Sequence, residues 1–223
     1  MIKALDQNII KDIYNKRSTW YDIYHNLVTF KADDLGRKLV VQNSVIQGDH
    51  VLDAGSGTGS TALIAAEKVG AKGKIILFDI SEGMLNIART KIEKAGFKER
   101  IETKTGDILN LPFPDNYFDV VLSTYSVCPL YSPDKGALEL LRVVKPGGKL
   151  AIAHSSSPEN QILLWLSDQL EKLIWLFPKV SLGCRSVSTL PALQKAGVKV
   201  LFKRKIGFPL LPFLVFVVQK PLK

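Results

Sequence analysis

The chain has 223 residues, 46% hydrophobic and 23% charged, and its 30 Lys and Arg outnumber 21 Asp and Glu to give a formal net charge of +9. That length suits a single α/β domain with a sizeable core, and no internal repeat, low-complexity tract or Ser/Gly linker divides it. Only two cysteines, Cys128 and Cys184, occur, without metal-ligand spacing and without a signal-peptide pattern, which argues against a disulfide scaffold and a cysteine-held metal and predicts a cytoplasmic chain with free thiols.

Apolar residues at Ile2, Leu5, Ile9, Ile13 and Trp20, with Lys3, Lys11, Lys16 and Arg17 between them, predict a basic amphipathic helix. Positions 1–36 then form either a lid over the core or a surface-seeking segment. A core over 37–154 and a C-terminal part over 155–223 are expected to follow within the same domain.

Next in the chain is Val51-Leu52-Asp53-Ala54-Gly55-Ser56-Gly57-Thr58-Gly59, an apolar run, an acid and alternate glycines, ahead of a helical pattern from Thr61 to Val69. Such glycines allow φ > 0 and let a ligand approach the main chain with no Cβ in the way. The spacing predicts a strand turning tightly into a helix around a nucleoside cofactor. A dinucleotide would set its pyrophosphate on the helix N-terminus, where Asp53 would repel it. Its fingerprint G-x-G-x-x-G also requires glycine or alanine at position 60, which is Ser60. S-adenosylmethionine has no phosphate and carries an ammonium and a sulfonium, so it suits the acid better.

Lys74-Ile75-Ile76-Leu77-Phe78-Asp79 reads as a second strand ending in a carboxylate placed to accept both ribose hydroxyls; an N-cap or loop acid is the plainer alternative. Ser81 is a natural N-cap for a helix running to Lys94, in which Met84 either stacks on the adenine or fills a core gap. Ile101 to Ile108 alternates like a third strand. Gly106-Asp107 brings another acid to the same edge, able to accept from the adenine amino group while Ile108 covers a ring face. Leu111-Pro112-Phe113-Pro114-Asp115 is a turn-rich link to a buried fourth strand, Tyr117 to Ser123, whose opening Asp119 is structural. A helix from Asp134 to Val144 then runs into a turn at Lys145-Pro146-Gly147-Gly148-Lys149 and a fifth strand, Leu150 to His154.

In this order, the glycine loop, Asp79 with Ser81 and Met84-Leu85, Gly106-Asp107, Phe118-Asp119-Val120-Val121 and Leu141 to Gly148 resemble class I S-adenosylmethionine-dependent methyltransferases over positions 37–154. Within that class, the Trp20-Tyr21-Asp22 region, the Pro-Gly-Gly turn and the layout after His154 are similar to a branch holding quinone-biosynthesis, phospholipid N- and thiol methyltransferases. The resemblance implies a Rossmann-like, doubly wound α/β sheet of seven strands, mostly parallel with a reversed C-terminal hairpin. It implies S-adenosylmethionine as cofactor, contacted by Asp53, Gly55, Ser56, Gly57 and Gly59 from the first loop. Further contacts are Asp79, Ile80 and Met84 from the second loop and helix, Gly106, Asp107 and Ile108 from the third, and Ser123 and Thr124 beside the methionine moiety. Of Tyr14, Tyr21, Tyr24 and Tyr125, each either a packed ring or a cofactor contact, Tyr21 is the one the resemblance matches to the cofactor carboxylate.

Methyl transfer is an in-line displacement with the nucleophile held about 3–3.5 Å from the methyl carbon. Because the sulfonium already supplies the leaving group, the enzyme's work is positioning, desolvation and, for a protonated acceptor, removal of a proton. His154, ending the fifth strand, is the candidate base, with a buried, satisfied imidazole as its alternative. Cys128 either lines the transfer site or is a small buried hydrophobe.

Pro158 to Phe177 predicts a helix apolar on more than one face, interrupted by Asp168, Glu171 and Lys172 and so not membrane-spanning. It is expected to wall an apolar substrate pocket, face a membrane, form a dimer interface or simply be well buried. Gly207 to Phe213 is an apolar loop before a final strand, Leu214 to Val218, expected antiparallel to Val198 to Lys203. Lys203-Arg204-Lys205 is the densest basic run, either a solvated edge or an attraction for anionic headgroups. The expected activity is methyl transfer to a small lipophilic acceptor, a lipid amine, quinone precursor or thiol, with peripheral contact with anionic membrane as a further expectation. The alternatives are a nucleic-acid methyltransferase, opposed by scattered basic residues and the lack of an RNA-binding module, and a non-catalytic S-adenosylmethionine-binding regulator.

Overall fold

The computed structural model describes residues 4–22, 32–177 and 181–222. The strands are β1 (His50–Ala54), β2 (Lys74–Asp79), β3 (Ile101–Thr105), β4 (Phe118–Thr124), β5 (Val144–Ser155), β6 (Lys199–Phe208) and β7 (Leu211–Gln219). They form one seven-stranded sheet in the order β3-β2-β1-β4-β5-β7-β6. β1 to β5 pair in parallel, and β7 runs antiparallel to both β5 and β6. This is the mostly parallel sheet with a reversed C-terminal hairpin that the sequence predicted.

The helices are α1 (Gln7–Arg17), α2 (Ala32–Ser44), α3 (Ser60–Val69), α4 (Glu82–Lys94), α5 (Pro133–Arg142), α6 (Gln161–Trp175) and α7 (Leu190–Lys195). Helices α2, α3 and α4 supply Val40, Ala65, Ala66, Leu85 and Ala88 to one core, which meets Val51, Leu77 and Val215 from one sheet face. Helices α5 and α7 supply Ala137, Leu140 and Leu193 to a second core with Leu52, Phe118, Ile152 and Phe216 from the other. The middle strands therefore read as unbroken apolar runs because both their faces are covered. Each large side chain fully buried here, such as Phe78 or Phe118, contributes about 1.5–3 kcal/mol relative to exposure.

Strand order reverses between β1 and β4, and in a doubly wound sheet the crevice at the carboxyl ends of such strands is where ligands sit. Asp119 is structural as expected: it accepts from His50 N at 2.9 Å and pairs with Lys145 at 2.6 Å, clamping the starts of β1, β4 and β5 together.

Some boundaries differ from the sequence reading. The expected turn at Lys145 to Lys149 lies inside β5, as an irregularity between the Phe118↔Val144 and Val120↔Lys149 pairs. There the Gly147 N–H donates to Lys220 O at 3.1 Å. The apolar stretch Gly207 to Phe213 is not a loop but the end of the β6–β7 hairpin, paired as far as Phe208↔Leu211. At the other end, α1 begins at Gln7, with Asp6 accepting from Asn8 N at 2.8 Å. Ile2, Lys3 and Tyr24, which the sequence reading singled out, lie outside the described residues. Helix α2 runs through position 36, so the expected boundary between lid and core is not a break in the chain.

Candidate functional site

A cleft of about 760 Å³, partly open to solvent, lies at the carboxyl ends of β1, β2 and β4. Its floor is the glycine loop, in which Gly55, Gly57 and Gly59 all adopt left-handed backbone, with φ of 70°, 53° and 80°. Gly55 N–H donates to Phe78 O at 2.7 Å, closing the loop onto β2. The first two glycines do different work. A Cβ on Gly55 would lie 2.1 Å from Ser126 Cβ, so this position permits close approach of the chain after β4, whereas a Cβ on Gly57 would meet nothing within 4 Å. Gly57 lines the cleft, so the open space beside it is the space a ligand would fill.

Two carboxylates stand at this loop. Asp79 lines the cleft and accepts from Gly57 N through Oδ2 and Ser81 N through Oδ1, both at 2.8 Å. Burial raises its pKa above the ordinary carboxylate range, against the lowering effect of those N–H groups. A carboxylate offers about four lone-pair sites, so lone pairs remain for hydroxyls in the cleft. Asp53 is fully buried behind the loop, and neither oxygen has a hydrogen-bond partner among the described residues. Burial pushes its pKa up to about 7, with Arg37 opposing and Asp79 reinforcing the shift. An uncompensated buried carboxylate costs stability unless something cationic answers it.

Gly106, Asp107 and Ile108 line the cleft from the third loop, and Ile80 and Met84 from the second. A Cβ on Gly106 would come within 2.4 Å of the Phe78 ring. Asp107 Oδ1 accepts from Leu109 N at 2.9 Å. Ser81 caps α4, accepting from Met84 N at 3.2 Å.

The N-terminal segment closes the cleft from above. Tyr14 and Tyr21 line it, with ring centroids 5.9 Å apart, and burial raises the pKa of both phenols. Asn15 Oδ1 accepts from Ser81 Oγ at 2.6 Å and from Gly83 N at 3.1 Å. Asp22 accepts from Thr58 Oγ1 at 2.6 Å and pairs with Lys91 at 2.5 Å. The lid is thus tied to the cofactor loop and to α4 by named polar contacts.

Other expected residues sit elsewhere. Asp53, Ser56, Gly59 and Ser123 do not line the cleft. Ser123 Oγ is engaged with Ser126 Oγ at 2.5 Å. Thr124 does line it, but its hydroxyl is hydrogen-bonded to Thr61 Oγ1 at 2.7 Å. His154, the expected base, is also away from the cleft. It is fully buried, with Nδ1 2.8 Å from Ser155 O and its ring edge-on to Phe216, and burial lowers its pKa. A strand in the middle of the sheet presents alternate residues to opposite faces, and His154 falls toward the core rather than the crevice. Cys128 is likewise buried, and its neighbour Cys184 lowers its thiol pKa.

The sequence reading named Leu5 in the N-terminal helix but missed the other apolar residues that line the cleft: Ile10, Leu109, Pro129, Leu130 and Tyr131. Tyr125 and Ser126 join them, directly after the predicted Thr124. Tyr125 has a φ of 59° and its hydroxyl donates to Asp33 O at 3.2 Å. A signal was present in the short run from Tyr125 to Tyr131, which continues from the strand end at the switch point.

The sequence model of the ubiE/COQ5 methyltransferase family matches residues 1–177. This chain belongs to that family. It is 32% identical over 157 residues to the ubiquinone/menaquinone biosynthesis C-methyltransferase UbiE of Pseudoalteromonas translucida, covering 70% of this chain and 62% of that protein. It is also 32% identical over 158 residues to a demethylmenaquinone methyltransferase of Symbiobacterium thermophilum, covering 70% and 63%. The matched region thus spans a little under two-thirds of the length of these relatives. A SAM-dependent methyltransferase from Aquifex aeolicus superposes with a TM-score of 0.59 at 25% identity, covering 82% of this chain and 88% of that one.

S-adenosylmethionine is the family's cofactor, and the cleft fits it. Cleft-lining acids at Asp79 and Asp107 suit neutral hydroxyl and amino groups, the open side of Gly57 leaves room beside the loop, and Asp53 stands behind that loop as a buried carboxylate with no hydrogen-bond partner among the described residues.

Proposed function

We propose that this chain transfers a methyl group from S-adenosylmethionine to a ring carbon of a quinone precursor. The observation that carries this reading is the lining of the cleft, in which the acids Asp79 and Asp107 share one cavity with the apolar side chains Leu5, Ile10, Pro129 and Leu130. The names of the relatives, ubiquinone/menaquinone and demethylmenaquinone methyltransferases, point the same way. When bound, the cofactor supplies a methyl group activated on a sulfonium.

On this reading Asp79 accepts from the ribose hydroxyls, Asp107 from the adenine amino group, and Asp53 compensates the ammonium across the loop. Leu5, Ile10, Pro129 and Leu130 exclude water and hold the flat acceptor against the methyl carbon. Tyr14 and Tyr21, kept protonated by burial, serve as donors rather than bases. The work assigned to the protein is therefore positioning and desolvation: the acceptor would enter already ionised, its ring carbon would take the methyl as the methyl–sulfur bond breaks, and the hydrogen of that carbon would leave as a proton to solvent as the ring re-aromatises. We also infer a cytoplasmic location with peripheral contact with anionic membrane, from which such an acceptor would be drawn.

The test is to incubate the full chain with S-adenosylmethionine deuterated at the methyl group and a short-chain demethylnaphthoquinol. The expected outcome is S-adenosylhomocysteine together with a quinol carrying the labelled methyl on carbon. Tight binding of S-adenosylhomocysteine without any labelled product from this acceptor would overturn the acceptor assignment.

A further inference from the structure

Helix α6 is built inside out. Its one fully buried side chain is Ser167, at 4% exposure, while Ile162 (71%), Trp165 (62%) and Leu173 (57%) face solvent, followed by Leu176 (71%) and Phe177 (58%) at its end. With Leu166, these residues are spaced by three, one, seven, three and one, which places them on one helical face. Leu163, Leu170 and Ile174 flank this stripe about 100° round the helix and are partly buried, and Leu164, also exposed, lies outside it, so the outward stripe is a surplus that packing within the chain does not use.

A second apolar projection lies beside the start of α6, off the stripe itself. Leu163 shares a groove with Gly207, Pro209 and Pro212, and Lys205 bridges to Glu159 at 3.0 Å and to Ser157 O at 3.0 Å. The α6 start therefore adjoins the β6–β7 hairpin, whose tip exposes Phe208 at 70%. A contiguous apolar surface rimmed by polar residues marks an interaction site rather than ordinary surface.

The structure assigns this surface, α6 with the β6–β7 hairpin tip, to docking on an anionic lipid bilayer; the inference rests on the proposed lipophilic acceptor and names where the chain would meet it. Charge decides between a bilayer and a second copy. Acidic side chains near the stripe are already engaged: Asp168 with Lys172 at 2.7 Å, Glu159 with Lys205, and Glu171 with the Ser186 N–H. Lys203 and Arg204 on β6 are exposed. Two chains of net charge +9 repel each other, whereas anionic headgroups attract a chain of that charge. No helix among the described residues is long and apolar enough to cross a membrane, so the contact is peripheral, with the stripe lying in the headgroup boundary.

The surface also leads to the cleft. After α6 the chain returns at Leu182 and Gly183, where Leu182 O accepts from Tyr14 Oη at 3.2 Å and a Cβ on Gly183 would strike Ile10, with Leu5 and Pro129 next. Ile10, Leu5 and Pro129 form the apolar end of the cleft. An acceptor with an apolar tail can thus keep that tail in the lipid while its head reaches the cleft.

The test is flotation of the full chain with phosphatidylcholine vesicles with or without phosphatidylglycerol, in low and high salt. Wild type is expected to float with the anionic vesicles and at least tenfold less with the neutral ones. A variant carrying Trp165→Ser, Leu173→Ser and Phe177→Ser is expected to lose flotation tenfold or more while binding S-adenosylhomocysteine as wild type does. Lys203→Glu with Arg204→Glu is expected to lose the preference for anionic lipid. Absence of wild-type flotation overturns the surface even where methyl transfer to the short-chain quinol proceeds, and such transfer is what the functional reading itself depends on. A wild type that sediments as a dimer, becomes monomeric in the triple variant and fails to float would make a second copy the occupant instead.

Discussion

Asp79 Oδ2 accepts the Gly57 N–H at 2.8 Å, so the acid that ends β2 is fastened to the loop that follows β1. The same carboxylate holds Ser81 N, the cap of α4. Asp79→Asn keeps the shape but turns one acceptor oxygen into a donor facing an N–H. S-adenosylhomocysteine affinity is expected to fall at least tenfold, about 1.4 kcal/mol, in a calorimetric titration, with the circular dichroism of the fold retained. Unchanged affinity would remove Asp79 from the site.

The glycine loop offers a pair of substitutions with opposite outcomes. Gly55→Ala puts a Cβ against Ser126 and is expected to lower thermal stability sharply, since both positive φ and a clash with the Ser126 Cβ oppose it. Gly57→Ala meets open space and carries only the left-handed penalty of about 1–2 kcal/mol, yet its Cβ enters the cleft. The expectation is a folded protein with much weaker S-adenosylhomocysteine binding. Equal effects on melting temperature and binding for the two variants would contradict this division of labour.

Asp53 makes a pH-dependent prediction. Its folded pKa, about 7, lies above the unfolded value of 3.8, so the folded state holds the extra proton between them. Stability of the ligand-free chain therefore falls as pH rises from 4 to 7, and the full penalty is present above 7. Asp53→Asn should match wild type near pH 4 and exceed it by a few kcal/mol at pH 8, in urea unfolding followed by fluorescence. The same variant should bind S-adenosylhomocysteine, which also carries an ammonium, more weakly. A parallel pair of stability curves across this range would mean that Asp53 is not the titrating group.

The cofactor half of this cleft was legible because its chemistry is local in sequence. A strand, an acid and alternate glycines specify a turn with φ > 0, and an acid at the end of the next strand falls beside it in a parallel sheet. Asp79 and Asp107, expected at one edge from spacing, both line the cleft, whereas Asp53 lies behind the loop. His154 could not be placed from spacing, because whether a strand-end side chain faces core or crevice depends on register, and the irregular Lys145–Gly148 segment inside β5 shifts that register. The apolar end was hidden for another reason. Leu5, Ile10 and Pro129 meet only through the tertiary return of the chain at Gly183, and no local pattern announces such a contact.

His154 itself gives a discriminating test. Because burial lowers its pKa, the folded state keeps it neutral, so its contribution to stability is present above the ordinary histidine value near 6.5 and is lost as pH falls. His154→Asn is expected to leave the pH profile of methyl transfer unchanged while reducing this acid sensitivity. Disappearance of an inflection near neutrality from the rate profile would restore His154 as the base.

Asn15→Ala removes the acceptor for Ser81 Oγ and Gly83 N. Faster amide hydrogen exchange over α1 and a several-fold faster release of S-adenosylhomocysteine are expected, with the exchange of β1 and β4 unaffected. Identical release rates would show that α1 does not gate the cleft.

The contacts that hold α1 and the Asp22 segment after it down end on Ser81, Gly83, Thr58 and Lys91, residues of the loop and helix beside the cleft. Opening the roof and loosening the floor are consequently one event, not two. The spent cofactor's dwell time would then equal the lifetime of a few polar contacts, and the chain's cycling speed would be set by how often its N-terminal turn lets go rather than by the ease of breaking a carbon–sulfur bond.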